Sequence, residues 1–317
     1  MPAKTTNQAV SEGFINDKPY LYSFGGLDST LLYSGIHQRS FKYNLSENNW
    51  EEIQPLPDTL GKIANAASRI NDTIYIIGGY HVFDDGSEKS SNKVHRFDIK
   101  NNLFFEDAAP IPIPIDDHVQ VVWRNKLIYT ITGWSDKENV PNVQIYNPKK
   151  NLWIKGTSVP NNHIYKSFGA SGSIIGDTIY YFGGASMGEN YPIQNYLRKG
   201  IINHKQPSQI SWTYQIIDSL KNGYRMASTI HDNKPIWIGG SSKTYNYNGI
   251  AYDKSGGVNP NNRILQLSEN RFNLDINKNI PMDLRGIANI NDSVKYIIGG
   301  IGKNQKVSNK VYKLVRN

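Results

Sequence analysis

One pattern recurs six times along the sequence and constrains the fold more than any other feature. A strand rich in aliphatic and aromatic residues ends in two glycines at positions 25–26, 78–79, 183–184, 239–240 and 299–300, and the remaining copy, LIYTITG, keeps only Gly133. The paired positions start at 25, 78, 132, 183, 239 and 299, so the repeat length lies between 51 and 60 residues. A fixed period of this size indicates a chain built from repeated supersecondary units.

The copies share one internal order of four short strands. An inner strand (A) leads through an Asn/Asp turn, such as Asn71-Asp72, into the strand that ends in glycine (B). A loop then leads to a third strand (C), such as residues 93–99, and a polar turn leads to an outer strand (D). Strand D opens with an aromatic residue, at Trp50, Phe104, Trp153, Trp212 and Phe272. Alternating strands with polar turns predict a four-stranded antiparallel meander in each copy.

The glycine pairs, their spacing and the outer-strand aromatics together resemble the kelch-repeat family along nearly the whole chain. The resemblance implies an all-β fold, a six-bladed kelch-type β-propeller with four antiparallel strands per blade, and a single domain over residues 1–317. The sixth copy stops at its third strand, residues 310–315, so we expect residues 3–6 to supply the missing outer strand. Pairing of the N- and C-terminal segments then closes the ring and removes the free sheet edges.

Composition excludes several classes of function. The net charge of +8 favours anionic partners in general, but no basic run interleaved with aromatics indicates nucleic-acid binding. The chain has no cysteine, so disulfides and thiolate metal sites are excluded. No apolar run suits a membrane span and MPAKTTNQ is not a signal peptide; a removed natural signal would imply a secreted or periplasmic location. We expect a monomer without cofactor.

Strand order places the functional surface on one face of the propeller. In this topology the B–C loops and the D–A connections emerge on one side of the central channel, and the A–B and C–D turns on the other. The A–B turns are short and alike, whereas the B–C loops are long and differ, at residues 27–38, 80–91, 134–141, 185–192, 241–262 and 301–308. Variable loops on a rigid scaffold are where binding and catalytic residues concentrate.

Two arginines stand out where the inner strands enter the channel. The position fourteen residues before each glycine pair holds Ser11, Ala64, His118, Gly169, Arg225 and Arg285. Arg225 and Arg285 lie on neighbouring blades, and two guanidinium groups suit a carboxylate, sulfate or phosphate. An arginine here can equally pair with an aspartate of an adjacent loop and fasten two blades. Both interpretations stay open at the level of sequence.

Histidines and aromatic residues also collect on this face. His37, His81, His118 and His163 map there with Asp116 and Asp117, but no compact ligand spacing predicts a metal site. The aromatic residues mapped to this face are Tyr80, Phe83, Trp134, Tyr165, Tyr191, Tyr224, Tyr245, Tyr247 and Tyr252. Rings beside polar groups suit a sugar or a peptide, and we expect Tyr80, His81, Trp134 and Tyr165 to contact the ligand.

The family resemblance implies two classes of function, because kelch propellers include enzymes and interaction modules. Galactose oxidase uses copper with a tyrosine cross-linked to a cysteine, which this chain lacks. A bacterial sialic-acid mutarotase has six blades and needs no cofactor. By that likeness, Arg225 and Arg285 bind the carboxylate of an acidic sugar, and His118, Asp117 or Glu12 moves the proton at the anomeric oxygen. The alternative is a module that binds a peptide segment without catalysis.

Overall fold

Six antiparallel sheets surround a central channel in the computed structural model, which describes residues 1–245, 258–277 and 279–316. Tyr247 and Tyr252 lie outside the described residues. The helical content of the described part is three 3-10 turns, Tyr33–Gly35, Ser219–Lys221 and Lys303–Gln305, and no helix there is long and apolar enough to cross a membrane. The all-β, six-bladed propeller predicted from the repeat is confirmed.

The first three blades each hold four strands in the order A-B-C-D from the axis to the rim. Blades 2 and 3 add short strands in their B–C loops, namely β7 in blade 2 and the β12–β13 hairpin in blade 3. The strands are β1 Ala9–Ile15, β2 Lys18–Phe24, β3 Ser40–Asn44 and β4 Asn49–Ile53 in blade 1; β5 Ile63–Ile70, β6 Thr73–Val82, β7 Glu88–Ser90, β8 Val94–Asp98 and β9 Leu103–Phe104 in blade 2; and β10 Val119–Trp123, β11 Leu127–Ile131, β12 Trp134–Ser135, β13 Glu138–Asn139, β14 Val143–Asn147 and β15 Leu152–Lys155 in blade 3.

Blades 4 and 5 repeat the four-stranded order, and the sheet of blade 6 contains three strands. The strands are β16 Phe168–Ile175, β17 Thr178–Ala185, β18 Tyr196–Ile202 and β19 Ile210–Ile216 in blade 4; β20 Tyr224–His231, β21 Lys234–Ser241, β22 Arg263–Ser268 and β23 Arg271–Ile276 in blade 5; and β24 Ala288–Asn289, β25 Val294–Ile298 and β26 Val311–Val315 in blade 6. The innermost strands of successive blades pack side by side around the channel.

The chain termini close the ring between blades 6 and 1. The Met1 amino group donates to the Asn309 carbonyl at 2.8 Å, and the Thr5 N–H donates to the Ser308 carbonyl at 3.2 Å. Gly300 N–H in turn donates to the Thr5 carbonyl at 3.0 Å. The N-terminal segment therefore lies beside the start of β26, as predicted, but it joins the last blade through these few bonds rather than through a full strand ladder.

The A–B turns show how local sequence sets the meander. Asn16 and Asp17, and likewise Asp232 and Asn233, adopt positive φ angles between 48° and 61°. Two consecutive residues with positive φ give the tight turn whose twist matches antiparallel strands, and Asn and Asp tolerate this backbone better than other side chains. The predicted Asn/Asp turns are therefore the hairpin corners on the face opposite the B–C loops.

The glycine pairs join neighbouring blades. Gly78 has φ +65°, and a Cβ placed there would lie 2.1 Å from the Ile115 carbonyl oxygen in the connection between blades 2 and 3. The N–H of Gly79 donates to that same oxygen at 2.9 Å. In the one copy without the first glycine, Thr132 takes its place and its hydroxyl donates to the Ser167 carbonyl at 3.2 Å. The pairs thus serve the scaffold, because glycine best tolerates the positive φ and the close approach of another backbone.

The aromatic residues of the outer strands reach back toward the preceding blade. The indole N–H of Trp153 donates to the Ala109 carbonyl at 2.8 Å, and that of Trp212 donates to the Thr157 carbonyl at 3.1 Å. Ala109 lies in the segment between blades 2 and 3, and Thr157 in the segment between blades 3 and 4. Each indole therefore links its own blade, through a hydrogen bond, to the segment that connects that blade to the preceding one. Such a contact is expected of an aromatic residue packed between two blades.

Candidate functional site

The two faces of the propeller differ as the strand order predicts. Arg225 lies at the start of β20 and His231 at its end, so they lie toward opposite faces. The A–B turns contain two to four residues, whereas the B–C loops carry β7, the β12–β13 hairpin and two of the 3-10 turns. We call the surface formed by the B–C loops and the D–A connections the mouth face.

A ring of backbone hydrogen bonds narrows the channel at the mouth face. Asp117, Arg225 and Asp283 all have positive φ angles, between 47° and 64°, as do residues at the matching points of other blades. Each bond of the ring joins two different blades: Asn7 N to Asp283 O, Ala64 N to Asn7 O, Asp117 N to Ala64 O, Gly169 N to Asp117 O and Leu284 N to Arg225 O, at 2.8–3.3 Å. The side chains of Asp117, Arg225 and Asp283 are thus carried by a backbone collar that ties the blades together.

The two predicted arginines meet at this collar, where both are paired with carboxylates. The Arg225 guanidinium contacts Asp117 at 2.6 Å and Asp283 at 3.2 Å. Arg285 contacts Asp117 at 3.1 Å and donates to the His118 carbonyl at 3.0 Å. The Arg225 side chain is 1% exposed and the Arg285 side chain 3%. We call these four charged residues, Asp117, Arg225, Asp283 and Arg285, the ion-pair layer.

The ion-pair layer has internal charge balance. Burial alone would raise the pKa of the Asp117 carboxyl, but Arg225 and Arg285 outweigh that effect and hold its pKa below the usual value. Asp283 also accepts hydrogen bonds from the Thr6 hydroxyl at 2.7 Å and the Tyr245 hydroxyl at 3.0 Å. The arrangement matches the sequence alternative in which an arginine fastens two blades. Binding of an acidic sugar by Arg225 and Arg285 stays a prediction.

Below this layer, the channel is a cavity of about 470 Å³ that reaches the A–B turns. Glu12, His118 and Arg285 from the sequence prediction line it. Glu12 accepts from Arg69 Nε at 3.3 Å and from the Asn289 N–H at 2.9 Å, so it bridges blades 6, 1 and 2. The predicted catalytic set is therefore divided, with Glu12 in the channel wall and Asp117 in the ion-pair layer.

His118 is a buried neutral imidazole. Burial lowers its pKa to about 4, although the bond with Gln120 opposes this shift. The amide nitrogen of Gln120 donates to the Ser68 hydroxyl at 2.8 Å, which leaves the Gln120 carbonyl oxygen to face His118 Nε2 at 3.0 Å. Nε2 therefore carries the proton and Nδ1 the lone pair. An imidazole of this kind is a weak base at neutral pH.

Above the ion-pair layer, a small pocket opens on the mouth face. It has a volume of about 20 Å³ and is lined by Tyr80, Glu88, Asp116, Asp117, Trp134, Phe168 and Tyr191. Three rings form its aromatic side. The centroid of the Trp134 ring lies 5.3 Å from that of Phe168 and 6.0 Å from that of Tyr191, and both pairs have edge-to-face geometry. We call this space the mouth pocket. Two of the predicted ligand residues, Tyr80 and Trp134, belong to it.

Two carboxyl groups of the mouth pocket have no cationic partner among the described residues. Asp116 is 3% exposed, and burial together with the neighbouring Asp117 raises its pKa well above the usual value. Its Oδ2 accepts from the Ser90 hydroxyl at 2.6 Å. Glu88 lies at the exposed end of the pocket, where partial desolvation raises its pKa to about 7, Arg225 lowers it and Asp117 raises it further. The mouth pocket therefore contains two carboxyl groups besides those that pair with Arg225 and Arg285.

Two other predicted ligand residues lie elsewhere. The ring of His81 donates through Nδ1 to the Gly61 carbonyl at 3.0 Å and sits 3.8 Å from Asp58, beside the connection between blades 1 and 2. Tyr165 packs in the apolar core shared by blades 3 and 4, 5.6 Å from Tyr214. Across the three described stretches of the chain, no group of His, Asp and Glu suits a metal ion.

Two acidic residues of the site, Asp283 and Glu88, were not predicted from the sequence. Asp283 precedes Arg285 by two residues, and its contact with Arg225 depends on the positive φ of the collar. Glu88 reaches the mouth because β7 folds back along β6, with Glu88 opposite Val82. A search for acids close in sequence to the paired arginines would have found Asp283, whereas the position of Glu88 requires knowledge of the loop.

The mouth face also exposes large apolar side chains. Leu32 and Met187 lie in B–C loops and are 43% and 47% exposed. Leu60 and Leu220 lie in D–A connections and are 41% and 74% exposed. Trp134 and Tyr191 are half-buried beside the mouth pocket. Leu32 and Leu60 lie on blade 1 and on its connection to blade 2. Met187 and Leu220 lie on blade 4 and on its connection to blade 5, so the exposed apolar side chains occupy two sides of the mouth face.

Comparison with known proteins supports the repeat family. The profile of the KLHDC2/KLHL20/DRC7 Kelch-repeats domain matches residues 13–240. The human Kelch repeat and BTB domain-containing protein 12 is 28% identical over 132 residues, 38% of this chain and 20% of that protein. Kelch-like protein 36 of Bos taurus is 23% identical over 184 residues, 58% of this chain and 28% of that protein. The matched region thus spans only a fifth to a little over a quarter of these relatives.

A solved structure of YjhT has the same overall fold. It superimposes with a TM-score of 0.76 at 14% sequence identity, covering 100% of this chain and 99% of that chain. At this identity the likeness concerns the fold alone. It agrees with the six blades described above.

Proposed function

The chain belongs to the kelch-repeat family, and we propose that it is an interaction module that binds a segment of a partner protein on its mouth face. The supporting observation is the set of exposed apolar side chains on the loops of that face, Leu32, Leu60, Met187 and Leu220. The same face holds the mouth pocket, which is lined by aromatic rings and carboxyl groups. Aromatic side chains are enriched at the centres of protein interfaces, and the rings of this pocket give the mouth face such side chains.

Charge at the mouth argues in the same direction. Asp117 and Asp283 balance the charges of Arg225 and Arg285. Burial favours the neutral form of Asp116, so Glu88 supplies the further negative charge of the mouth as it ionises near neutral pH. A small anion entering here would meet two arginines that already have carboxylate partners. A partner segment can place apolar and cationic groups over this surface, which the electrostatics favour.

A small sugar in the channel is the second candidate, because Glu12, His118 and Arg285 line one cavity of about 470 Å³. Cavities of this size hold small ligands. In this candidate, Arg285 orients the sugar and the free Nδ1 of His118 accepts a proton. Calorimetry against uronic and sialic acids, followed by NMR of anomer exchange, tests it, and no heat with any sugar rejects it.

The main proposal is tested by peptide selection. A random 12-residue peptide library is displayed and selected on the immobilised chain, and the affinities of the selected peptides are measured by fluorescence anisotropy. Met187→Ser and Leu220→Ser should each weaken binding about tenfold, because burying one large apolar side chain contributes about 1.5–3 kcal/mol. Ile216→Ser is the matched control, since Ile216 is 65% exposed on the outer strand β19.

The outcomes are distinct. Unchanged affinity in Ile216→Ser with weakened binding in the two loop variants supports the mouth face. Equal effects of all three variants, or selected peptides that bind Met187→Ser and Leu220→Ser as well as the original chain, would contradict it. Circular dichroism of each variant checks that the propeller is intact.

A further inference from the structure

We propose that the mouth pocket holds a primary ammonium group, the side-chain end of a lysine in the bound partner segment. The inference deepens the proposed function and rests on it for the source of the lysine. The pocket combines three features that such a group requires: free carboxylate oxygens, aromatic rings and a volume for one small group. Each feature is observed independently of the other two.

The carboxyl groups provide acceptor oxygens, and Glu88 provides negative charge as it ionises near neutral pH. Asp116 uses Oδ2 to accept from Ser90, and its Oδ1 has no hydrogen-bond partner among the residues that the structure describes. The Glu88 carboxylate lines the same pocket and makes neither an ion pair nor a hydrogen bond with the residues that the structure describes. Both carboxyl groups line the pocket, so an N–H donor of a bound group can reach their oxygens.

The aromatic rings supply a second attraction. Tyr80, Trp134, Phe168 and Tyr191 surround the pocket, and Trp134 is the ring type that binds cations best. The same mode of recognition already operates next to the pocket. The Arg225 guanidinium lies over the Tyr224 and Tyr245 rings, at 5.1 and 5.6 Å from their centroids. The mouth therefore stabilises cations through rings as well as carboxylates.

The volume selects among cations. A cavity of about 20 Å³ accommodates one group of the size of a water molecule. An ammonium group is of that size, whereas a guanidinium is planar and carries three nitrogens. Lysine is therefore the favoured residue, and its four-carbon stem can lie against the half-buried Trp134 and Tyr191.

Charged groups around Glu88 set how binding responds to pH. Asp116 and Asp117 line the pocket with it, Arg225 acts on it from β20, and Lys89 follows it on β7. Glu88 changes charge near neutral pH, and its ionised form attracts the ammonium. Binding should therefore strengthen as the pH rises through 7.

The first arm of the test uses n-butylammonium, which reproduces the end of a lysine side chain. It is titrated into the full chain at pH 7.5 while NMR follows the indole N–H of Trp134, identified with Trp134→Phe. A saturable shift is expected, and neutral n-butanol should give none. Glu88→Gln should weaken binding about fivefold, and Asp116→Asn less, because burial already favours the neutral form of Asp116. Glu47→Gln, an exposed acid in the C–D turn between β3 and β4, should leave binding unchanged.

Three results would overturn the inference. They are equal shifts with n-butanol, unchanged affinity in Glu88→Gln, and tighter binding of n-butylguanidinium than of n-butylammonium. Glu88 is exposed, so Glu88→Gln should fold even if Asp116→Asn does not.

The second arm uses the selected peptides and separates this inference from the proposed function. Replacement of one lysine by norleucine should weaken a selected peptide about tenfold or more, whereas acetylation of its N-terminus should have no effect. Peptides that bind the mouth face without any lysine dependence would reject the ammonium pocket and leave the interaction module intact. Saturable n-butylammonium binding with no selected peptide would reject the interaction module instead.

Discussion

Arg225→Met tests whether Arg225 stabilises the fold by joining neighbouring blades or instead serves to bind an anion. The Arg225 side chain is 1% exposed, between Asp117 at 2.6 Å and Asp283 at 3.2 Å. Methionine keeps much of the volume and removes the charge. Asp117 would retain Arg285 at 3.1 Å. Asp283 would keep the hydroxyl donors of Thr6 and Tyr245 but lose its contact with the guanidinium.

The expected cost follows from the loss of this partner. Removal of one member of a buried ion pair typically costs about 3–5 kcal/mol, because the remaining charge stays buried without compensation. The lost contact of the guanidinium with the Tyr224 and Tyr245 rings adds to this, at about 0.5–1 kcal/mol for each. We therefore expect the free energy of unfolding to fall by about 4–7 kcal/mol at pH 7.5.

Urea denaturation followed by tryptophan fluorescence measures this change. The control is Arg39→Met, because Arg39 pairs with Glu52 at 2.8 Å but is 44% exposed, and exposed pairs contribute about 1 kcal/mol or less. A loss of stability no larger than that of Arg39→Met would refute the structural role of Arg225.

Three further results are expected. Gly78→Ala should cost about 2–5 kcal/mol, because the new methyl lies 2.1 Å from the Ile115 oxygen, whereas Gly176→Ala, with positive φ but no atom within 4 Å, should cost only about 1–2 kcal/mol; urea denaturation compares them. His118 has a folded pKa of about 4, below its unfolded value, so the unfolded chain binds the proton first and stability falls from pH 6.5 to 4 by up to about 1.4 kcal/mol per unit; His118→Gln should flatten that slope. Binding of n-butylammonium should strengthen between pH 6 and 8 and lose this dependence in Glu88→Gln. Equal costs of the two alanines, an unchanged acid slope, or a pH profile that survives in Glu88→Gln would contradict the respective prediction.

The scaffold could be predicted from sequence because local patterns determine it. The glycine pairs, the Asn/Asp turns and the outer-strand aromatics each mark a fixed position in the blade, and they recur with one period. The closure was also predictable, since the sixth copy lacks an outer strand. The extent of pairing between the two termini was not predictable, because it depends on which N-terminal groups form hydrogen bonds with Ser308 and Asn309.

The site could be predicted only in part. The fourteen-residue offset correctly placed Arg225, Arg285 and His118 together, since all three lie where inner strands enter the channel. The offset could not reveal that Asp283 neutralises Arg225, because that contact joins different blades. The positions of single residues within the long B–C loops could not be predicted either. His81 turns toward Asp58, and the approach of Glu88 to the mouth follows from the β6–β7 hairpin.

Hydrogen–deuterium exchange of the chain with and without an excess of a selected peptide tests the central claim most directly. The account predicts slower exchange in loops of the mouth face, at residues 27–38, 80–91, 134–141 and 185–192, and in the connection that contains Ser219–Lys221. The A–B turns at residues 16–17, 71–72 and 232–233 should exchange at unchanged rates. Protection centred on those turns or on the outer strands, with the mouth loops unaffected, would contradict the assignment of the mouth face as the binding surface.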